Sequence, residues 1–295
     1  MIKHKKTKMH ICALFASVLW ALGYVLTRIA VLDFSSDVLG FLRYFTAALA
    51  LIIYAAIKKI RWPEKKDIPI FIVGGAIGFA IYVYTINEGS RTLYAGTVSF
   101  IISATPVLTA FLAYLFFREK IGLRGWISIA CAFSGVAFIT YFSGGFALSS
   151  GIVWVCIAMI LFGFYNILQR NLLRRYSPLE ITTYCIIIGA ILLSVFAPRA
   201  FTQLAAASAS GIVSVLFLGL FSGSGAYLLW AYALHHAEKT SEATNYMFLT
   251  PILTTLFGFV IIKEAPHFSV YVGGILVLLG VMLAVHNANK LSNER

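Results

Sequence analysis

Long apolar stretches alternate with short polar ones along the whole chain. Each apolar stretch runs for about 20 residues, and most charged side chains lie in the turns between the stretches. A helix needs roughly 20 apolar residues to cross the hydrocarbon core of a bilayer. The pattern therefore predicts an all-α polytopic membrane protein. Its ten predicted transmembrane helices cover residues 11–31, 38–57, 68–89, 95–117, 125–141, 151–173, 178–196, 211–234, 241–262 and 268–286.

One sequence motif occurs twice, 145 positions apart. Residues 105–120 read TPVLTAFLAYLFFREK and residues 250–265 read TPILTTLFGFVIIKEA. The first copy lies on the fourth predicted span and the second on the ninth. The first and sixth spans also align, at an offset of 142, which sets Trp20 against Phe162 and Arg28 against Arg170. The chain is therefore predicted to contain two repeats, residues 1–145 and 146–295, with five helices each.

Five is an odd number of crossings, so the second repeat must enter the membrane from the other face. Inverted repeats of this kind are a recurring construction of secondary transporters, which hold substrate near the midplane between the repeats. Two inverted copies can exchange conformations, which gives inward-open and outward-open states. The repeat thus favours a carrier that works by alternating access over a fixed channel.

Composition agrees with this class. Of the 295 residues, 60% are hydrophobic and 12% are charged, and the mean hydropathy is +0.90. A soluble domain has about a quarter charged residues. The formal net charge of +12 does not indicate a nucleic-acid partner, because the basic residues are spread over the turns. The lipid bilayer and a small-molecule substrate are the expected partners, and the oligomeric state is not indicated.

The distribution of Lys and Arg predicts the orientation. Of the 23 such residues, 18 lie in the termini and turns on the side of the termini, and only Arg91, Arg199 and Lys263 lie in the opposite turns. By the positive-inside rule both termini are cytoplasmic. The first apolar run is long and lacks a small-residue cleavage site, so it reads as an uncleaved span. The expected location is a bacterial inner (cell) membrane.

The doubled motif resembles the drug/metabolite transporter superfamily, in its EamA-type family. Both copies have a run of small residues, a proline, an apolar stretch, an acid and a closing glycine-rich helix, and LWALGYVLTR in the first span fits as well. The resemblance covers essentially the whole chain. It implies ten helices in two five-helix repeats, a central cavity and carrier-mediated movement of small metabolites. Glu88, in YTINEGS, stands where the family leads one to expect an uncharged residue.

Glu88 is the only carboxylate that these predicted spans place within a helix. A carboxylate in a low-dielectric cavity has a raised proton affinity, so Glu88 is a candidate for carrying a coupling proton. Tyr84 shares its helix face, and Trp20 and Tyr24 form the same kind of pair on the first helix. Converging, these faces would enclose an organic cation. Alternatively, Glu88 lies at the outer interface and simply pairs with Arg91.

Other residues are candidates for substrate binding or for motion. Arg28 and Arg43 either snorkel to lipid headgroups or anchor a substrate carboxylate. Glu119 and Glu264 end equivalent helices on opposite membrane faces, which predicts gating or loop-locking groups. Pro106 and Pro251 are predicted helix hinges, and Gly74, Gly78, Gly219 and Gly223 are predicted packing positions. The substrate-binding candidates are Trp20, Tyr24, Tyr84, Glu88, Ser99, Asn166, Trp230, Asn245 and Tyr246.

No residue pattern indicates catalysis. The chain has no cluster of nucleophiles, no metal-type spacing around its four cysteines and no phosphate-binding loop with a lysine. We therefore expect no enzyme activity, no catalytic residues, no metal and no cofactor. The function favoured is export of amino acids or related metabolites, with or without a coupled proton or other ion. Uptake of an organic amine through Glu88 is the alternative, and a scaffold or membrane enzyme is the least favoured.

Overall fold

The computed structural model describes residues 2–118, 121–144, 150–237, 243 and 245–293. This part of the chain contains helices and no strand, and ten of the helices are long and apolar enough to cross a membrane. The ten spans are α1 (Thr7–Ala30), α2 (Ser36–Lys58), α3 (Lys65–Thr92), α4 (Ala95–Phe117), α5 (Leu123–Phe142), α6 (Ser150–Leu172), α7 (Pro178–Ala206), α8 (Ala209–His236), α9 (Asn245–Ile262) and α10 (Phe268–Val285).

The ten predicted spans are confirmed, with one large difference in length. The predicted end of the seventh span at residue 196 is wrong, because α7 continues to Ala206. A 3-10 turn at Ser194–Phe196 is followed by a helix from Ala197 to Ala206, with Pro198 in its first turn. Proline is tolerated there because the first-turn N–H groups have no partner within the helix. Polar residues of this last segment, Arg199, Thr202 and Gln203, interrupt the apolar run, so the hydrophobic pattern does not predict its helix.

An even number of crossings brings both ends of the chain to one face of the bundle, which we call the terminal face. The other face is the opposite face. Arg118 and Lys263 end α4 and α9 with φ angles of 53° and 56°. A left-handed residue commonly ends a helix, and these two are 145 residues apart. The sequence repeat is thus matched by the same left-handed helix end in each repeat, one at each face of the bundle.

The two repeats also share an unusual helical feature. A π-helical segment interrupts α3 at Ala76–Ala80, and another interrupts α8 at Leu218–Gly225. Each follows a glycine of the predicted packing set or contains one. π-Helical turns are rare and occur often at functional sites, since they leave backbone carbonyls without their usual partners. Their presence at matching places supports a functional role for α3 and α8.

Each span packs mainly on spans of the other repeat. α1 packs on α8 and α9, α2 on α7 and α8, α3 on α6 and α7, and α4 on α6 and α9. α5 and α10 pack along each other, where Ser128 donates to the carbonyl of Gly280 at 2.8 Å. Gly135, Gly273 and Gly280 lie against backbone atoms at this crossing. The bundle core therefore lies between the repeats, and the site is built there.

Candidate functional site

Aromatic side chains from both repeats meet near the middle of the bundle. The ring of Trp20 in α1 lies 5.4 Å from those of Tyr227 and Trp230 in α8. In the other part of the set, Phe162 of α6 stacks on Tyr82 of α3 at 4.9 Å. We call the whole set the aromatic cluster. Its members are Trp20, Tyr24, Tyr44, Phe79, Tyr82, Phe162, Tyr165, Tyr227 and Trp230.

Two buried rings connect the two parts of the aromatic cluster. Phe79 lies 6.5 Å from Tyr227 and 5.3 Å from Tyr165, and Tyr165 lies 5.6 Å from Phe162. Aromatic faces with hydroxyl groups at their edges can hold an apolar group and orient a polar one. Trp20 and Phe162, which the 142-residue offset pairs, lie in the two parts. The cluster is thus shared by the two repeats.

Arg43 of α2 lies at the edge of this cluster. Its guanidinium carbon is 5.8 Å from the centre of the Tyr44 ring. The same charge interacts electrostatically with Tyr24, Tyr82 and Tyr227. The aromatic cluster is therefore positively charged on the side of α2.

The structure places Glu88 close to the opposite face, four residues before the end of α3. A carboxylate oxygen of Glu88 lies 3.8 Å from Nε of Arg91, which also donates to the Ser36 hydroxyl at 3.1 Å and the Phe34 carbonyl at 2.8 Å. Tyr84 packs on Trp154 at 5.8 Å. Tyr84 thus contacts the opposite-face end of α6, and Glu88 contacts Arg91, which bonds to the start of α2, whereas Trp20 contacts α8.

The remaining predicted binding residues lie at three levels. Ser99 is buried, and its hydroxyl receives a hydrogen bond from Thr254 at 3.3 Å, which joins α4 to α9. Asn166 donates to the hydroxyl of Thr109 at 3.3 Å. At the terminal face, Tyr246 contacts His10 at 3.1 Å, and the neighbouring Asn245 is exposed. Ser99 and Asn166 therefore join neighbouring spans, and Asn245 lies at the rim of the bundle.

Glu264 joins three segments at the opposite face. Its carboxylate accepts from Nε of Arg28 at 2.9 Å and from the backbone N–H of Ala95 at 2.8 Å. Arg28 also donates to the carbonyls of Ser90 and Arg91, at 2.9 and 2.6 Å. The predicted gating or locking contact at Glu264 has a partner here in Arg28. Its predicted counterpart, Glu119, lies outside the described residues.

The predicted hinge at Pro106 coincides with a break in α4. One helix ends at Ser103 and the next begins at Thr105. Proline removes a backbone donor and crowds the carbonyl one turn earlier, at Ile102. That carbonyl accepts a hydrogen bond of 2.6 Å from the Thr105 hydroxyl. At Pro251, the start of α9 is 3-10 helix from Asn245 to Phe248.

The predicted packing glycines lie where helices come closest. A Cβ atom added at Gly78 would lie 2.5 Å from the Tyr165 ring, and one at Gly74 would lie 3.1 Å from the sulfur of Cys185. In the second repeat, a Cβ atom added at Gly219 would overlap Thr46. One added at Gly223 would meet the carbonyl of Leu218 and the side chain of Ala47. These contacts join α3 to α6 and α7, and α8 to α2.

A polar group at the terminal face was not among the predicted sites. Asp67 is buried, pairs with Arg175 at 2.6 Å and accepts from the Tyr176 hydroxyl at 2.8 Å. The Tyr176 hydroxyl in turn accepts from the backbone N–H of Glu64 at 2.8 Å. Burial, together with Asp67, raises the pKa of Tyr176. This network ties the start of α3 to the turn before α7.

Sequence reasoning also missed Phe79, Tyr82 and Tyr165 of the aromatic cluster. The 15 tyrosines and 24 phenylalanines are spread over most spans, so residue type alone does not select them. The 145-residue offset was a usable signal for one of them, since it pairs Tyr82 with Tyr227. Among the described residues no group of three or more His, Cys, Asp or Glu could hold a metal ion.

The chain matches the EamA-like transporter family twice, over residues 7–141 and 149–286. Each match contains five spans. An uncharacterized transporter of Bacillus subtilis is 29% identical over 275 residues, covering 93% of this chain and 90% of the relative. A protein of Streptantibioticus cattleyicolor named "Probable terminal-alkyne amino-acid exporter" is 30% identical, covering 90% of this chain and 89% of the relative.

A solved crystal structure shares the fold. Its TM-score is 0.63 at 15% sequence identity, and the match covers 94% of this chain and 97% of that one. The match extends over nearly the whole length of both chains, so it supports the arrangement of the bundle as a whole. At this identity the likeness concerns the fold alone.

Proposed function

The chain belongs to the EamA-like transporter family and is a membrane transporter, and from this membership we propose that it is a secondary carrier that exports an amino acid or a related metabolite. The carrier works by alternating access. Its two inverted repeats move against each other, and the substrate is held between them. The substrate class is supported by the relative described as an amino-acid exporter, which is 30% identical over 267 residues.

One observation carries the mechanism: the aromatic cluster is assembled from both repeats. α1, α2 and α3 contribute rings from the first repeat, and α6 and α8 contribute rings from the second. A relative movement of the repeats would change which face can reach the cluster. The π-helical segments of α3 and α8 lie in the spans that would have to move.

A flux assay on purified protein in liposomes tests this proposal. Vesicles are loaded with single unlabelled amino acids, and uptake of the same labelled compound is followed. A carrier gives saturable uptake that is accelerated by substrate on the other side, whereas a channel gives no such countertransport. Flux that rises linearly with concentration, without countertransport for any of the 20 standard amino acids, would overturn the proposal.

We also propose that a proton is the coupling ion and that Glu88 carries it. The support is that Glu88 lies within α3 and that its carboxylate is 3.8 Å from Nε of Arg91, beyond hydrogen-bonding distance. Glu88→Gln should then abolish the pH dependence of flux. Unchanged flux and pH profile would assign Glu88 to its pair with Arg91. Uptake of an organic amine would also require Glu88. The neighbouring guanidinium of Arg91 weakens the case for that alternative, because it would repel a second cation.

The proposed location is a bacterial inner membrane with both termini in the cytoplasm. The support is the excess of Lys and Arg in the termini and turns that the sequence predicts on the side of the termini, 18 against three. Single cysteines introduced into a cysteine-free background test the orientation. A cysteine at Lys65 should be protected from an impermeant maleimide in intact cells, and one at Ser210 should react. The reverse pattern would place the terminal face outside.

A further inference from the structure

Arg43 is an arginine inside the bundle whose charge meets no carboxylate in the described part of the chain. It lies seven residues beyond Ser36, the first residue of α2, which is about 10 Å along a helix. Its Nε atom is buried and has no hydrogen-bond acceptor among the described residues. Arginine stays protonated in proteins, so this position is a fixed positive charge.

Three other arginines in the spans have acidic partners. These pairs are Arg28 with Glu264 at 2.9 Å, Arg91 with Glu88 at 3.8 Å, and Arg199 with Asp37 at 2.6 Å. All three pairs lie near the ends of spans. Arg43, which lies deeper, instead faces rings. An unpaired charge within a membrane is costly and is by default a functional site.

Hydroxyl groups that can donate hydrogen bonds lie within electrostatic range of the Arg43 side chain. It interacts electrostatically with four tyrosines of the aromatic cluster, and Tyr24 and Tyr82 also interact with each other. Each hydroxyl can donate a hydrogen bond to an oxyanion. The four tyrosines come from four different spans, α1, α2, α3 and α8. A guanidinium with hydroxyl donors within its electrostatic range attracts an anion and repels a cation.

Packing of the repeats does not require a charge at this position. A Cβ atom added at Gly219 in α8 would lie 2.9 Å from the carbonyl oxygen of Arg43. The offset of 142 pairs Arg43 with Cys185, and a Cβ atom added at Gly75 in α3, next to the position that matches Gly219, would lie 2.9 Å from the carbonyl oxygen of Cys185. The second repeat therefore makes the same helix contact with a small neutral residue. The charge of Arg43 is not explained by the contact itself.

The side chain of Arg43 also does not extend toward lipid. The ring of Tyr44, over which the guanidinium lies, is 2% exposed and packs on Phe79 at 5.5 Å. Snorkelling would draw the guanidinium toward the headgroups, away from buried rings. Of the two alternatives for Arg43 that the sequence leaves open, the contacts favour the one in which it faces the interior.

We infer that Arg43 anchors a carboxylate of the transported substrate beside the aromatic cluster. The inference rests on the proposed carrier function and adds the residue that selects the substrate class. The guanidinium would donate two parallel hydrogen bonds to the carboxylate, and the rings would contact the apolar side chain of the substrate. Compounds that lack the carboxylate are excluded because Arg43 and its hydroxyl neighbours would remain without an acceptor.

Matched ligands test the inference on the wild-type protein. Each set keeps one side chain and changes either the carboxylate or the amino group. One set is L-phenylalanine, L-phenylalaninamide and phenethylamine, with 3-phenylpropionate as the carboxylate without an amine, and the other is the corresponding set for L-leucine. Binding is measured as a shift in the thermal unfolding midpoint of detergent-purified protein, and transport as flux into liposomes. We expect the two carboxylates of a set to bind and the amide and amine not to bind.

Two variants test the residue. Arg43→Gln should raise the KM for the amino acid about 10- to 100-fold, which corresponds to losing a charge-assisted hydrogen bond, with a smaller effect on kcat. Arg43→Lys should restore part of the affinity. Arg124→Gln is the matched control, because Arg124 is an exposed arginine at the start of α5 and its loss should leave KM unchanged.

The outcomes separate the two proposals. Equal binding of the amide and amine by the wild type, or an unchanged carboxylate preference in Arg43→Gln, overturns the role of Arg43 and leaves the carrier in place. Absence of saturable flux for every compound overturns the carrier function. If Arg43→Gln is not monodisperse on size-exclusion chromatography, the Arg43→Lys variant and the wild-type ligand sets decide the question.

Discussion

Single charged residues hold the opposite face of the bundle together. The carboxylate of Glu264, which follows α9, is 10% exposed and bonds both Arg28 of α1 and the first residue of α4. A charged group so placed at the start of a helix also satisfies a free backbone N–H. The offsets of 142 and 145 that relate the repeats map Arg28 onto Arg170 and Glu264 onto Glu119. Glu264, the acid of the second copy of the motif, therefore joins α1 and α4.

Glu264→Gln should lower the free energy of unfolding by about 1–3 kcal/mol, because a half-buried guanidinium loses its counter-charge. Thermal unfolding of the purified protein in detergent measures this. In the double variant with Arg28→Gln, the change in the free energy of unfolding should differ from the sum of the two single changes. Glu64→Gln is the control, since the pair of Glu64 and Lys66 is exposed and its loss should not shift the unfolding midpoint. Additive effects of the Arg28 and Glu264 changes would contradict the pairing.

Tyr176→Phe should lower stability near pH 7 by about 1–2 kcal/mol, since the Asp67 carboxylate and the Glu64 N–H lose a partner. Burial raises the pKa of Tyr176 above its usual value of about 10. The stability gained from the hydroxyl is therefore complete below pH 10 and is lost as pH rises through the raised pKa. Melting curves at pH 7, 9 and 10.5 should show the difference from wild type shrinking only in the last. Tyr271→Phe, which changes an exposed tyrosine, should show no difference throughout.

At the scale of elements, the close approach of helices depends on glycine. α8 meets α2 at Gly219, where an added methyl group would overlap Thr46, and α3 meets α7 in the same way at Gly75. Both helices contain a π-helical segment at or just after the contact. A close and locally irregular contact in each repeat provides two matching places where helices can slide during alternation.

Gly219→Ala should therefore destabilise the protein by about 1–3 kcal/mol through overpacking and slow the flux. Its control is Gly122→Ala, because nothing lies within 4 Å of a Cβ atom added there. Unfolding midpoints and initial rates of flux in liposomes measure both effects. If the two alanine variants behaved alike, α8 and α2 would not be held at the distance described here.

The elements were largely predictable from the sequence because membrane spans have a strong hydrophobic signal. Nine of the ten ends were placed within a few residues, whereas the end of α7 was not, since Arg199, Thr202 and Gln203 interrupt the apolar run. The aromatic cluster was predictable only in part. Trp20 and Trp230 were selected, but Tyr82 and Tyr165 depend on which faces of α3 and α6 meet, which no local pattern specifies.

At the scale of the whole molecule, the two repeats are interleaved. Because α1 to α5 pack chiefly on α6 to α10, neither repeat has a core of its own. The repeats predicted from the sequence, with a boundary at residue 145, are thus units of sequence and of symmetry. They are not expected to be units of folding.

Expressing residues 1–147 and 148–295 as two separate chains tests this interleaving. The two chains should copurify through an affinity tag on one of them, and the complex should retain saturable flux. Either chain expressed alone should aggregate or be degraded, because its inward-facing surfaces stay uncovered. A monodisperse, folded single half would contradict the interleaved arrangement. The intact protein carrying the same tag is the control for yield.

The unpaired guanidinium of Arg43, about 10 Å inside one end of α2, has a consequence for energetics. A charge that lies part of the way through the membrane feels part of the membrane voltage, which acts with ~2.3 kcal/mol per charge per 100 mV across the full thickness. In the proposed carrier the empty state bears this charge uncompensated, whereas a bound monoanion such as 3-phenylpropionate would neutralise it and an amino acid zwitterion would add its own ammonium charge. With a monoanion, voltage should therefore bias the return of the empty carrier more than the loaded step, so that the rate of the transport cycle depends on the membrane potential.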